Sequence, residues 1–128
     1  MCKSKQKLLI LVAVICCCQL IAGCATYPWE SSETTRRRWL KITPLGSSLP
    51  EVENQLRQRH MTMNKSMNTG FMRQENGKEE LVGQKAIWAH LGGHRSGLLQ
   101  TTSVSAYWGF DKEDKLIDIW IRSENDSL

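Results

Sequence analysis

The strongest constraint on the fold is a pair of alternating segments near the end of the chain. Residues 102–110 and 115–122 each place an apolar side chain at every second position, and residues 111–114 between them are all charged. This pattern predicts two antiparallel strands joined by a tight turn. The predicted buried faces are Val104, Ala106, Trp108 and Phe110 on the first strand and Ile117, Ile119 and Ile121 on the second. Such a hairpin needs another element to cover its apolar face.

A helix that starts at Ser48 is predicted to provide this cover. Ser48 is followed by Pro50 in the first turn and by Glu51 three residues on, which is the pattern of a capping box. The apolar stripe of the helix consists of Leu49, Val52 and Leu56. The side chains predicted to face water are Glu51, Glu53, Asn54, Arg57 and Gln58. The helix is expected to end near His60.

The remaining segments give shorter signals. Residues 86–91 predict a strand that ends at Gly92–Gly93, residues 67–73 suggest a further strand, and residues 39–42 suggest a short strand or a loop. The fold class predicted is α+β, with a small antiparallel sheet of three to four strands covered by one main helix. We expect a single domain over residues 39–128.

The N-terminus has the pattern of a secretory signal. Lys3, Lys5 and Lys7 precede an apolar run over residues 8–21, which is shorter than the ~20 apolar residues of a spanning helix. All five cysteines lie at or before position 24, so residues 25–128 hold no thiol and no disulfide. Without residues 1–23 the chain keeps 14 basic and 13 acidic residues, which gives no support for nucleic-acid binding.

The segment Leu20-Ile21-Ala22-Gly23-Cys24 resembles the lipobox of bacterial lipoprotein precursors. The resemblance implies cleavage between Gly23 and Cys24, a diacylglycerol thioether on Cys24, and acylation of the new amino terminus. Ala25 then favours the periplasmic face of the outer membrane. Residues 1–23 would be the signal peptide and residues 24–38 a lipidated tether. The alternatives are a plain secreted protein and an uncleaved anchor helix.

The run Arg36-Arg37-Arg38, followed by Trp39, has two interpretations. The arginines could reach anionic headgroups near the anchor, with Trp39 at the membrane interface. The favoured interpretation is a solvated run that leads into the fold, with Trp39 packed against the core.

No residue pattern predicts catalysis or a metal site. There is no G-x-S-x-G motif, and the Gly-Gly between His90 and His94 argues against one helical face that could bind zinc. The charged residues of the 111–114 turn supply too few oxygens for calcium. The four methionines Met61, Met63, Met67 and Met72 could form a soft binding surface or bind copper(I), but they are expected to fill core or loop. We predict a protein that is not an enzyme, has no cofactor except the lipid on Cys24, and has no small-molecule substrate.

Two stretches resemble small outer-membrane lipoproteins of the SmpA/OmlA (BamE-like) type. These are the helix start over residues 45–52 and the late hairpin over residues 108–117. The resemblance implies a role in outer-membrane protein assembly, so we expect a scaffold or accessory subunit that contacts an envelope protein. Candidate contact residues are Trp88, Tyr107 and Trp120, if they do not pack in the core. The alternative function is an inhibitor or immunity-type lipoprotein with a protruding loop at 61–80 or 92–101.

Overall fold

A computed structural model describes residues 30–95 and 98–127. The two helices are α1 (Ser32–Ile42) and α2 (Leu49–Gln58). The six strands are β1 (Met63–Ser66), β2 (Phe71–Glu75), β3 (Lys78–Val82), β4 (Lys85–Arg95), β5 (Gln100–Phe110) and β6 (Leu116–Ser127). Four of them form an antiparallel sheet in the order β1-β4-β5-β6, and β2 and β3 form a separate antiparallel hairpin. The predicted α+β class and four-stranded sheet are confirmed, but two helices accompany the sheet where one main helix was expected.

Helix α2 begins as its sequence predicts. The Ser48 hydroxyl accepts a hydrogen bond from the Glu51 backbone N–H (3.3 Å), and the Glu51 carboxylate accepts one from the Ser48 backbone N–H (2.8 Å). The apolar stripe is buried. The prediction that Glu53 faces water is wrong, because this residue is only 8% exposed. Its carboxylate accepts hydrogen bonds from Arg57 and Lys65, each at 2.9 Å, which offset the cost of burying the charge.

Helix α1 was not expected from the sequence. It begins within residues 24–38, for which a tether was predicted, and its last turn contains residues 39–42, which were expected to be a strand or a loop. The Ser31 hydroxyl caps it by accepting a hydrogen bond from the Thr34 backbone N–H (3.1 Å). Thr35 and Trp39 are the buried residues of this helix. The prediction that Trp39 packs against the core is therefore confirmed.

The core lies between the two helices and the inner face of the sheet. The Trp39 and Trp108 rings meet edge-to-face with 5.2 Å between their centroids. The Trp108 indole N–H donates to the Thr43 hydroxyl (3.2 Å), which donates in turn to the Trp39 carbonyl oxygen (2.8 Å). Other fully buried core side chains are Val52, Leu56, Ile87, Phe110, Leu116 and Ile119. Three of the four residues predicted for the inner face of β5 are buried, and Val104 packs at the edge of this core.

The start of β6 differs from its predicted register. Gly109 is opposite Asp118 and Phe110 is opposite Leu116, so Ile117 falls at an irregularity between the two pairs. Leu116 is consequently buried and Ile117 is exposed, which corrects the prediction that Ile117 belongs to the buried face. Beyond this point the register returns, and Ile119 and Ile121 are buried as expected.

Strand β4 also runs further than predicted. It continues through Gly92 and Gly93 to Arg95, with a bulge between His90 and Gly92. The strand suggested at residues 67–73 is likewise displaced, because β1 ends at Ser66 and β2 starts at Phe71. Asn76 and Gly77 form the turn that joins β2 to β3.

The β2–β3 hairpin packs on the outer face of the sheet. Phe71 and Val82 of the hairpin contact Ala86, Tyr107 and Trp120 in a second, smaller core. Gly109 permits this close approach, because a Cβ atom there would lie 3.0 Å from Phe71 Cε1 and 3.1 Å from Val82 Cγ1. The sheet is thus covered by helices on one face and by the hairpin on the other. In the described part of the chain, no helix has both the length and the apolar character to cross a membrane.

Candidate functional site

The predicted lipidation site lies outside the described residues. Gly23 and Cys24 precede Glu30, the first residue that the structure describes. Their proposed cleavage and acylation therefore stay predictions from the sequence. The structure does show where the chain that follows them enters the fold.

The chain enters the fold at one end of the sheet. Glu30 lines a small cavity of about 110 Å³ together with Thr35 and the last part of β4, namely Leu91, Gly92, Gly93 and His94, and with Val104 of β5. Its carboxylate forms an ion pair with Arg38 at 2.7 Å. We call this end of the sheet, formed by residues 92–95 and 98–102, the distal end. Glu30 is the described residue nearest in sequence to the anchor predicted at Cys24, and it lies at this end.

Arginine side chains of the predicted basic run are bound to carboxylates of the fold. Arg37 pairs with Glu33 at 3.2 Å on the same helix. Arg36 reaches across to β6, where it donates to the Asp118 carboxylate at 2.7 Å and to the Ile119 carbonyl oxygen at 2.8 Å. These contacts agree with the interpretation that the run leads into the fold.

Asp118 connects helix α1 to the outer hairpin. One carboxylate oxygen accepts from Arg36, and the other accepts from Arg73 of β2 at 2.6 Å. Arg73 also donates to Glu80 of β3 at 2.5 Å, which raises the pKa of Arg73 against the opposing effect of burial. Burial alone would raise the pKa of Asp118, but hydrogen bonds from Arg36, the Ile119 backbone N–H and Arg73 together hold it below its usual value. This network fixes the hairpin to the sheet.

Asp118 is expected to make stability depend on pH. Because its folded-state pKa is lowered, its stabilisation is fully present above the unfolded value of about 3.9 and is lost as pH falls through the folded value. Asp118→Asn turns an amide toward two guanidinium groups, so it should lower the free energy of unfolding by about 1–3 kcal/mol at pH 7. Denaturant titrations at neutral and acidic pH should show this difference shrinking upon acidification. The exposed Glu113→Gln is the charge-matched control, and a difference for Asp118→Asn that is independent of pH would contradict the prediction.

The aromatic residues considered for partner contacts lie on the outer face of the sheet. Trp120 is buried and Tyr107 is half-buried, and Phe71 of the hairpin lies over both, with ring centroids 6.0 Å from Trp120 and 5.6 Å from Tyr107. Trp88 is half-buried in register with Tyr107. Packing within the fold therefore buries the Trp120 side chain and part of the Tyr107 side chain, so little of either is left for a partner.

The outward face of the β2–β3 hairpin carries exposed apolar side chains, among them Met72, which was expected to fill core or loop. Met72 and Leu81 are directly opposite each other on the two strands, and both are exposed. Met67 is exposed as well, and it lines with Leu81 a depression of about 380 Å³. We call Met67, Met72 and Leu81 the apolar ridge. Leu81 was not among the residues considered from the sequence, because no strand was predicted over residues 78–82.

A depression of about 560 Å³ lies between the helices and β4 and is rich in basic residues. Two of these residues are already bound within the fold, since Arg38 pairs with Glu30 and Arg59 donates to the Gln55 side chain at 2.6 Å. The Arg59 guanidinium lies 5.8 Å from the centroid of the Trp39 ring. The fold itself therefore supplies partners for both cations.

The two histidines considered for zinc lie in different places. His90 lines the depression between the helices and β4, whereas His94 lines the small cavity next to Glu30. Asp111, another residue considered for metal binding, accepts hydrogen bonds from the backbone N–H groups of Glu113 and Lys115, each at 2.9 Å. Across residues 30–95 and 98–127, no group of three or more His, Cys, Asp or Glu side chains could hold a metal ion.

The inhibitor hypothesis expects a protruding loop, and both of its candidate segments contain strands. Residues 61–80 form β1, β2 and the first part of β3. The described residues of 92–101 belong to the end of β4 and the start of β5, apart from Leu98 and Leu99 between them. Among the described residues, most of each segment is therefore strand and not the protruding loop that the hypothesis expects.

Comparisons with protein-family models, with curated proteins and with solved structures find no match to this chain. The likeness to SmpA/OmlA-type lipoproteins therefore stays an interpretation of two short stretches.

Proposed function

We propose that this protein is a lipid-anchored, non-catalytic envelope protein that acts as a scaffold or accessory subunit. The lipobox ending in Cys24 supports the anchor, and Ala25 supports a position on the periplasmic face of the outer membrane. The observation that carries the scaffold role is the apolar ridge, formed by Met72 and Leu81 on the outward face of the hairpin and by the exposed Met67 before it. Exposed apolar groups on a rigid support are typical of surfaces that bind another protein.

The hairpin is held to the sheet through its inward face, which leaves the ridge exposed. Its inward face packs Phe71 and Val82 against the sheet, and Arg73 binds Asp118 on β6. The ridge residues contribute little to that packing, since Met72 and Leu81 lie on the opposite face of the hairpin. A partner could therefore bury them without unfolding the hairpin.

The surroundings of the ridge indicate the chemistry of the partner. Lys112 and Lys85 line the depression that Met67 and Leu81 share. The Lys85 ammonium group donates a hydrogen bond to the Asp114 carboxylate, which partly balances the positive charge of Lys85. A protein segment with apolar side chains beside an acidic one would complement this surface. Such a contact fits the accessory role that the SmpA/OmlA resemblance implies.

Site-specific photocrosslinking in intact cells tests the scaffold role. A photoreactive residue in place of Met72 or Leu81 should give the same discrete crosslinked product with one envelope protein. Gln58 on α2 is exposed and remote in sequence from the hairpin, so a photoreactive residue there is the matched control. A charged substitution at the other ridge position should abolish the product. Absence of any product from both ridge positions, or equal products from all three, would contradict the proposal.

A further inference from the structure

The distal end of the sheet carries two adjacent leucines that the fold leaves in water. Leu98 is 91% exposed and Leu99 is 63% exposed, which makes them the two most exposed large apolar side chains of the described residues. They lie between the end of β4 at Arg95 and the start of β5 at Gln100. Neither joins either of the two described hydrophobic cores.

The same end of the sheet is where the chain comes from its predicted anchor. Glu30 lines a cavity with Gly93 and His94, close to the end of β4. Ser32 and Ser123 hydroxyls lie 3.3 Å apart, and Ser123 is in register with Val104, which places the start of α1 at this end as well. Helix α1 then runs toward the opposite end, where Thr43 binds Trp108.

The segment between Cys24 and Glu30 is short enough to set an upper limit on the distance between these two residues. Six residue steps separate Cys24 from Glu30, so even a fully extended chain spans at most about 20 Å. Leu98 follows His94 by four residues, which span at most about 14 Å even in a fully extended chain. The distal end and its leucines are thus held within reach of any bilayer that contains the lipid on Cys24.

The charged residues near the two leucines are of both signs, so binding to a membrane here does not depend on anionic lipids. Arg95 and Asp126 are each in register with Thr101, on opposite sides of it, so a positive and a negative charge flank the same level of the sheet. A neutral bilayer interface accepts apolar side chains through the hydrophobic effect alone.

We propose that Leu98 and Leu99 insert into the interface of the bilayer that anchors Cys24, as a second attachment point of the domain. This inference rests on the lipid anchor proposed above. Two attachment points would fix the orientation of the domain, with its distal end toward the membrane. Gly109, beneath the hairpin, lies ten residues along the chain from Leu99, or about 33 Å at the rise of a strand. The apolar ridge would then face the aqueous side.

Fluorescent labels on single cysteines test this insertion in the acylated full-length mature protein. Residues 25–128 contain no cysteine, so Leu98→Cys supplies one free thiol for an environment-sensitive dye. Leu81→Cys is the matched control, since Leu81 is an exposed leucine (56%) on the hairpin. Both proteins are reconstituted into phosphatidylcholine vesicles with and without brominated acyl chains, and flotation of each sample reports anchoring.

The dye at position 98 should shift to shorter-wavelength emission and lose intensity with brominated lipid, whereas the dye at position 81 should do neither. Flotation with both dyes remaining in an aqueous environment would overturn the insertion and leave the anchor intact. A shift at position 98 that occurs only when envelope proteins are present would overturn it in favour of a protein contact. Failure of the acylated protein to float would instead overturn the proposed anchor, and the insertion with it.

Discussion

Trp108→Ala is expected to lower the free energy of unfolding by about 3–5 kcal/mol. Trp108 is fully buried at the centre of the core, and its ring meets that of Trp39 edge-to-face. The substitution would open a cavity between the sheet and both helices, and it would remove the indole donor that binds Thr43. Small domains have a total stability of about 5–15 kcal/mol, so a large part of it would be lost.

Urea denaturation of residues 25–128 measures this loss, and Trp88→Ala is its matched control. Trp88 is the same residue type on the neighbouring strand, but it is half-buried on the outer face. Its replacement should lower the free energy of unfolding clearly less, because part of its ring already contacts water. Equal losses for the two variants would show that the core is not centred between the helices and the inner face of the sheet.

Cys24→Ser is expected to move the protein from the membrane fraction to the soluble fraction. A hydroxyl cannot form the thioether, so the variant would lack the acyl chains. Each buried methylene contributes about 0.8 kcal/mol, and several chains together make release negligible on a laboratory timescale. Fractionation of cells that produce each form gives the readout.

The control for this change is Cys18→Ser, which lies in the segment predicted to be removed with the signal. That variant should remain in the membrane fraction like the parent. If Cys24→Ser also sediments with membranes, the described domain or an uncleaved N-terminal helix must provide the attachment. Retention of both variants would therefore count against the lipid anchor.

Features set by neighbouring residues could be predicted from the sequence. The capping box at Ser48 and Glu51 involves residues three apart, and the geometry found there is the one predicted. The alternation along β5 was equally informative, because Ala106, Trp108 and Phe110 all face the helices. Local patterns therefore located α2 and the late hairpin.

Helix α1 and the register of β6 could not be predicted, for different physical reasons. Helix α1 buries only Thr35 and Trp39, so it has almost no apolar stripe to reveal its period. The three isoleucines of β6 suggested one buried face, but an irregularity at Phe110 turns Ile117 outward. Trp120 and Ile121 are both buried because the sheet is covered on both faces. In such a strand, alternation of apolar and polar residues no longer identifies the buried face.

The candidate site depends on contacts between distant parts of the chain. Asp118 binds Arg36, 82 residues before it, and Arg73, 45 residues before it. No sequence pattern pairs residues at such separations. Met67 and Met72 were considered for a binding surface but were expected to fill core or loop, and Leu81 was missed because no strand was predicted over residues 78–82. The anchor at Cys24 was predicted from a contiguous motif and lies outside the described residues.

The mass of the mature protein extracted from cell envelopes tests the lipid anchor most directly. The account predicts a chain that begins at Cys24 and carries a diacylglycerol group and an amide-linked acyl chain on that residue. A mass that corresponds to the unprocessed chain, or to a chain with an unmodified Cys24, would contradict it.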